Sequence, residues 1–140
     1  MASEPEAISQ APVCSQTLTA NFPVSVVTPT LARPEEVEAL LQNLSQQLLL
    51  PSEVVIVDGA DCSDRRTEAV VHRLAPDLPF PCVYVRSGGG TALQRNAGID
   101  RVNSEFTAFI DDDIRLEADF LLRMSEAFHE DVRGVVGGIA

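Results

Sequence analysis

Four consecutive β-branched residues, Val54–Val57, restrict the fold of this chain more than any other feature of its sequence. A strand with one face in water alternates apolar and polar residues, whereas a continuous apolar run predicts a strand that is buried on both faces. Such strands occur in parallel sheets, whose strands are joined by helical crossovers. We therefore expect an α/β fold with a mainly parallel, open sheet flanked by helices.

The remaining sequence alternates strand and helix patterns, as a parallel sheet requires. Further strands are predicted at residues 24–28, 83–85, 106–110 and 134–139, with Pro29 closing the first of them. Helices are predicted to begin at Pro34, after a cap at Ser63 or Asp64, and at Thr91, and a fourth runs through Phe120. Helical spacing places Leu48 and Leu93 on buried faces. The order β-α-β-α-β-α-β-α-β is typical of a Rossmann-like sheet.

The chain of 140 residues is long enough for one domain with one core. Residues 1–22 are rich in Ser, Ala, Gln, Pro and Thr and show no apolar periodicity, so we expect a disordered N-terminal extension. We expect the domain itself to span residues 23–140. Because the sequence stops inside an apparent strand, we also expect this domain to be truncated at its C-terminus.

The composition argues against several classes of protein. The net charge is −11 and all ten basic residues are Arg, so no basic face is expected and nucleic acid is not a predicted partner. Cys14, Cys62 and Cys82 form no C-x-x-C pair, which argues against a zinc cage or a disulfide framework. No run approaches the roughly 20 apolar residues of a membrane-spanning helix. We expect a cytoplasmic protein with reduced thiols and no transmembrane segment.

Four sequence features fall at the predicted carboxyl ends of strands, where open α/β sheets bind their ligands. They are residues 29–31, the pair Asp58 and Gly59, residues 88–95, and Asp111–Asp113. Because parallel strands end at the same edge of a sheet, we expect these segments to converge. Their convergence predicts a ligand site more strongly than any one of them does.

The acidic triplet Asp111–Asp113 follows Phe106–Ile110, a run with the composition of a buried strand. Adjacent carboxylates at a buried strand end need a positive partner, and the simplest is a divalent cation bound together with an anionic substrate. In an extended backbone Asp111 and Asp113 point one way and Asp112 the other. Carboxylate and diphosphate oxygens suit Mg²⁺ or Mn²⁺. The alternative is a solvated acidic loop or an Asp that caps the next helix, and the preceding apolar strand favours the metal or ligand site.

Three further features each allow two interpretations. Asp58 could accept hydrogen bonds from a ribose or a base edge, or it could start an Asx-turn. Gly88–Gly90 could let backbone amides approach a phosphate, although a flexible loop is favoured. Arg95 could reach a phosphate with its planar guanidinium or form a surface ion pair.

Four segments of the chain, taken together, resemble the family-2 glycosyltransferases with the GT-A fold. The segments are residues 24–30 (VSVVTPT), 55–59 (VIVDG), 95–98 (RNAG) and 109–113 (FIDDD). Their order and spacing match across about residues 22–140. The resemblance implies a site for a nucleotide-diphosphate-sugar donor.

The resemblance also implies roles for individual residues. It implies that Pro29 and Thr30 flank the base of the donor and that Asp58 faces the nucleoside. It further implies that Arg95 lies near the donor and that Asp112 contacts the ribose or sugar. Asp113 is expected to bind Mn²⁺ or Mg²⁺, with Asp111 assisting. The chain departs from the family pattern at Gly59, where a second acid or Asn is common, and at Leu31, where an aromatic residue is common. Family members place the general base beyond the fifth strand, so we predict none within this chain.

The predicted function is transfer of a sugar from a UDP-, GDP- or dTDP-sugar to an acceptor hydroxyl, inverting and metal-dependent. The acceptor is expected to be a glycan, a lipid or a small molecule, and the protein could lie peripherally at the inner face of the membrane. One alternative is a non-catalytic fragment that binds nucleotide sugars. A second is a nucleotidyltransferase, although such enzymes usually carry a Gly-rich basic loop where this chain has Pro29-Thr30-Leu31.

Overall fold

The computed structural model describes residues 23–130, which form a parallel sheet flanked by helices. The strands are β1 (Val24–Thr30), β2 (Glu53–Asp58), β3 (Cys82–Arg86) and β4 (Phe106–Phe109). The helices are α1 (Pro34–Leu44), α2 (Arg66–Leu74), α3 (Thr91–Ile99) and α4 (Phe120–Glu130), with a 3₁₀ turn at Ala75–Asp77.

The strand order in the sheet is β3-β2-β1-β4, and every pairing within it is parallel. This arrangement confirms the predicted α/β fold. The fifth strand predicted at 134–139 and the extension predicted at 1–22 lie outside the described residues.

Both faces of β2 are covered, as its apolar run predicted. Every residue from Glu53 to Asp58 is buried. Val54 and Ile56 belong to the larger core cluster, whereas Val55 and Val57 belong to a smaller cluster on the other face of the sheet. The alternating residues of one strand therefore help to build two cores.

Helix α1 packs its apolar stripe into the larger core. Pro34 occupies the first turn, where its missing N–H costs no hydrogen bond, and acidic residues follow it. The buried residues of this helix are Pro34, Val37, Leu40, Leu41 and Leu44. The prediction for Leu48 was wrong. The helix ends at Leu44, the helical period no longer applies beyond it, and Leu49 is buried in place of Leu48.

Strand β1 continues through Pro29 to Thr30, so the prediction that Pro29 closes the strand was also wrong. The last β4 residue paired with β1 is Phe109, which lies opposite Val27. Pro29 lies beyond that pair and next to Val57 of β2. A proline is tolerated here because no β4 ladder remains for its missing N–H to interrupt.

Strand β4 is less buried than its composition predicted. It ends at Phe109 rather than Ile110, and Phe109 is 46% exposed. Within residues 23–130, β4 lies at the edge of the sheet and pairs with β1 alone. One-sided pairing leaves its end open to solvent.

Helices α2 and α3 also depart from prediction in detail. Helix α2 begins at Arg66, after both predicted caps, although Asp64 Oδ1 accepts the Arg66 backbone N–H at 3.2 Å. Helix α3 begins at Thr91 as predicted, but Leu93 is 56% exposed. The buried residues of α3 are instead Gln94 and Gly98.

Over residues 23–130, none of the helices has both the length and the apolar character needed to cross a membrane.

Gly98 allows α3 to approach the sheet closely. A Cβ at this position would lie 2.4 Å from Val27 Cγ1 and 3.3 Å from Val57 Cγ2. We expect Gly98→Ala to lower the free energy of unfolding, because overpacking costs about 1–3 kcal/mol and the gain in helix propensity returns only about 1 kcal/mol. Urea denaturation measures the change. Gly88→Ala is the matched control, since its Cβ would meet only Gly59 O at 3.6 Å. A Gly98→Ala variant as stable as this control would contradict the packing argument.

Candidate functional site

A cleft of about 480 Å³ opens at the carboxyl ends of β1 and β4, next to the N-terminus of α3. Its walls are formed by Pro29, Thr30, Leu31, Arg33, Gly90, Thr91, Gln94, Arg95, Asp111, Asp112 and Asp113. Three of the four predicted strand-end segments therefore meet in one cavity. The fourth, Asp58 with Gly59, does not line it.

The three consecutive carboxylates lie in different environments. Asp112 is 4% exposed, whereas Asp111 and Asp113 are exposed. The exposure alternates along the triplet, although Asp112 and Asp113 lie in a turn and not in the extended backbone on which the prediction depended. The triplet therefore presents two carboxylates to solvent and one to the protein.

Asp112 is held by partners from the end of β1 and from the loop that follows it. The Thr30 hydroxyl donates to Asp112 Oδ2 at 2.7 Å, and Arg33 Nη1 donates to Asp112 Oδ1 at 3.0 Å. A buried carboxylate needs such partners, because burial without them strongly disfavours its charged form. This network ties the acidic turn to β1.

Asp111 pairs with Arg95, whose Nη2 lies 3.3 Å from Asp111 Oδ1. Both side chains are partly exposed, so the pair contributes little stability, about 0–1 kcal/mol. The Arg95 guanidinium also lies 5.9 Å from the centre of the Phe109 ring, and its Nε is buried without a partner among the described residues. Of the two interpretations of Arg95, the structure shows the ion pair. Arg95 also lines the cleft.

Asp113 is exposed and lines the cleft, and its side chain has no hydrogen-bonding or ion-pair partner among residues 23–130. Its hard oxygen donors suit Mg²⁺ or Mn²⁺. Within the same residues, no group of three or more His, Cys, Asp or Glu side chains is arranged to hold a metal. The donor set therefore fits a cation that takes one or two carboxylates from the protein and its other ligands from phosphate oxygens and water.

Asp58 is fully buried at the end of β2. Its Oδ1 accepts the backbone N–H of Ala60 at 3.0 Å, the geometry of an Asx-turn, and that of Ala32 at 3.4 Å. The Tyr84 hydroxyl donates to Asp58 Oδ2 at 2.7 Å. Burial and this hydrogen bond raise the pKa of Tyr84 above its usual value, so the phenol remains a donor at neutral pH. The structure thus shows the Asx-turn, and a nucleoside contact of Asp58 stays a prediction.

The glycine loop leads directly into α3. Gly89 and Gly90 have φ values of 96° and 105°, which favour glycine. Gly90 lines the cleft beside the first turn of α3.

Sequence reasoning assigned no individual role to two residues of the cleft, Gln94 and Arg33. Buried Gln94 donates through Nε2 to the carbonyls of Thr30 and Val57, both at 2.8 Å, and so joins α3 to the ends of β1 and β2. No pattern in the sequence marks this role. Arg33 did carry a signal, because a cation immediately before a helix opposes the helix dipole and calls for another explanation.

Comparison with known proteins places these features in a family. A family model described as "Glycosyl transferase family 2" matches residues 25–140. An uncharacterized glycosyltransferase of Haemophilus influenzae is 36% identical over 90 residues, which are 64% of this chain and 29% of that protein. The succinoglycan biosynthesis protein ExoM of Rhizobium meliloti is 28% identical over 98 residues, or 69% of this chain and 32% of that protein. The chain therefore spans about a third of the length of these relatives.

The fold is shared with solved structures, two of which hold a nucleotide sugar. S. aureus TarS 1–349 in complex with UDP-GlcNAc has a TM-score of 0.62 and 28% identity, covering 78% of this chain and 32% of that one. The mannosyltransferase PcManGT from Pyrobaculum calidifontis, in complex with GDP-Man and Mn²⁺, has a TM-score of 0.64 and 25% identity. That match covers 77% of this chain and 33% of the mannosyltransferase.

Replacing Gln94 by Met tests its role at the strand ends. The variant removes a buried donor that serves the Thr30 and Val57 carbonyls, and we expect the free energy of unfolding to fall by about 1–3 kcal/mol. Thermal and urea denaturation followed by circular dichroism measure the loss. Gln42→Met, at an exposed position of α1, should change stability by no more than about 0.5 kcal/mol. Equal stability of the two variants would contradict the role given to Gln94.

Proposed function

The chain belongs to glycosyltransferase family 2, as its four sequence segments predicted, and we propose that its cleft binds the nucleotide-diphosphate part of a sugar donor. One observation carries the proposal. The end of β1, the start of α3 and the acidic turn after β4 meet in a single cavity, and Asp113 is exposed there without a protein partner. The TarS complex with UDP-GlcNAc and the PcManGT complex with GDP-Man support a donor of this class.

The charge of the cleft supports a metal-dependent donor site. Its lining holds two Arg and three Asp, which gives a net charge of −1. This charge opposes the entry of a diphosphate, whereas one divalent cation would bring the net charge to +1 and attract it. We therefore propose that Mn²⁺ or Mg²⁺ enters with the donor, as the Mn²⁺ in the PcManGT complex also supports.

The proposed roles around the diphosphate follow from exposure and pairing. Asp113 would hold the cation. Asp111 would assist by breaking its ion pair with Arg95 and binding the metal instead. Arg95, released from Asp111, would then donate to phosphate oxygens with its planar guanidinium. When bound, the cation would stabilise the negative charge that develops on the diphosphate leaving group.

The nucleoside would lie along the end of β1. Pro29 and Thr30 line the cleft and are proposed to contact the base. Asp112 is proposed to accept a hydrogen bond from a ribose or sugar hydroxyl. Its two oxygens already accept from Thr30 and Arg33, but each carboxylate oxygen can accept a second bond.

We propose that the whole reaction is inverting transfer to an acceptor hydroxyl. The hydroxyl attacks the anomeric carbon in line with the departing diphosphate after its proton passes to a general base. The described residues supply the donor half of this chemistry, and none of them is assigned as the base. A position in the cytoplasm, near the inner face of the membrane, stays a prediction.

Asp113→Asn tests the metal site directly. We expect Mn²⁺ to raise the affinity of the native chain for at least one of UDP, GDP and dTDP, and the variant to lose most of this gain, about tenfold or more. Isothermal titration calorimetry with and without Mn²⁺ measures both affinities. Asp100→Asn, an exposed substitution with the same charge change, should retain the gain. The assignment is wrong if Asp113→Asn retains it too.

Arg95→Gln should shift two affinities in opposite directions. Freeing Asp111 removes a competing ion pair, so Mn²⁺ should bind up to about fivefold more tightly in the absence of nucleotide. The nucleoside diphosphate should bind about tenfold or more weakly in the presence of Mn²⁺, because a charged donor to phosphate is lost. Electron paramagnetic resonance of free Mn²⁺ and calorimetry measure the two constants.

Arg101→Gln is the control for Arg95→Gln, since Arg101 is exposed just beyond α3 and the charge change is the same. Affinities in Arg95→Gln that match those of this control would overturn the proposed exchange of partners.

A further inference from the structure

Arg33 lines the cleft, although no sequence motif predicted it and its bond to Asp112 uses only part of its guanidinium. Its Nη1 donates to Asp112, while Nε and Nη2 have no protein partner among the described residues. The side chain is 48% exposed. Arg33 therefore offers the three N–H groups of Nε and Nη2, together with its positive charge, to a ligand in the cleft.

The position of Arg33 is held from both ends. At the side-chain end, its partner Asp112 is buried and is itself fixed by the Thr30 hydroxyl at 2.7 Å. At the backbone end, Ala32 has a φ of 53°, in the left-handed region that non-glycine residues rarely adopt. Such strain is retained where the surrounding structure imposes it, often at functional sites. A guanidinium held in this way loses little freedom when it binds a ligand.

The local electrostatics of α1 do not explain a cation here. Arg33 immediately precedes the first residue of α1, at the positive end of the helix dipole, where anionic side chains are favoured. Its side chain does not cap the helix. The helix therefore gives no reason for a cation at this position. The favourable partners of Arg33 are Asp112 and an anionic ligand in the cleft.

We propose that Arg33 binds a phosphate oxygen of the ligand, with Asp112 as the anchor that aims it. This inference rests on the proposed donor site and adds a second arginine, on a different element from Arg95. The competing explanation is that Arg33 only neutralises the buried carboxylate of Asp112. The two explanations predict different effects of Arg33 on diphosphate affinity once Asp112 no longer carries a charge. A phosphate-binding Arg33 still contributes to that affinity, whereas an Arg33 that only neutralises Asp112 does not.

A double-mutant cycle separates them. The four proteins are the native chain, Arg33→Gln, Asp112→Asn, and the variant carrying both substitutions. The ligands are the nucleoside diphosphate that the native chain binds best among UDP, GDP and dTDP, and the matching nucleoside, titrated by calorimetry with Mn²⁺ present.

If Arg33 binds phosphate, Arg33→Gln should weaken diphosphate binding about tenfold or more in the Asp112→Asn background as well as in the native one. The affinity for the nucleoside should change less than about twofold when Arg33→Gln is introduced into either background. The comparison within the Asp112→Asn background holds even if Arg33→Gln alone does not fold, because the double variant has no unpaired buried charge. Circular dichroism checks the fold of each protein.

Two results would overturn the inference alone. Either Arg33→Gln has no effect on diphosphate binding in the Asp112→Asn background, or diphosphate and nucleoside affinities fall by the same factor. A native chain that binds none of the three diphosphates would overturn the proposed donor site, and this inference with it.

Discussion

Burial of both faces of β1 and β2 is the constraint on which the position of the cleft depends. Parallel strands are joined by helical crossovers that cover both faces of the sheet, and their carboxyl ends lie at one edge. The close approach of α3 at Gly98 and the hydrogen bonds from Gln94 bring a helix N-terminus to the same edge. The polar residues that follow the strands are thereby gathered in a single cavity.

Within that cavity, the three adjacent carboxylates Asp111–Asp113 differ in how many positively charged or hydrogen-bonding partners they have. Asp112 is buried and shared by Thr30 and Arg33, Asp111 has one weak partner, and Asp113 has none among the described residues. The buried member orders the turn, and the exposed members leave the cleft with a deficit of positive charge. A cation that arrives together with an anionic ligand corrects this deficit, which is the physical reason for expecting the two to bind together.

Local patterns predicted the parts of this structure that local forces decide. The apolar run of β2, the stripe of α1 and the start of α3 at Thr91 follow from strand burial, helical spacing and turn chemistry. The predicted burial of Leu48 was wrong because α1 ends before it. The predicted burial of Leu93 was wrong because another face of α3 meets the sheet. The partners of Asp58 could not be predicted, since Tyr84 and Ala32 approach it only after the sheet has formed. Arg33 likewise meets Asp112 across 79 residues of sequence.

A crystal structure with Mn²⁺ and the preferred nucleoside diphosphate, with data collected at the manganese absorption edge, tests the central claim most directly. We expect one anomalous peak in the cleft, within coordination distance of the Asp113 carboxylate and of the diphosphate, at about 2.0–2.3 Å. We also expect Arg95 to have left Asp111 for a phosphate oxygen. A nucleotide bound elsewhere on the domain, or a manganese peak without Asp113 among its ligands, would contradict the proposed donor site.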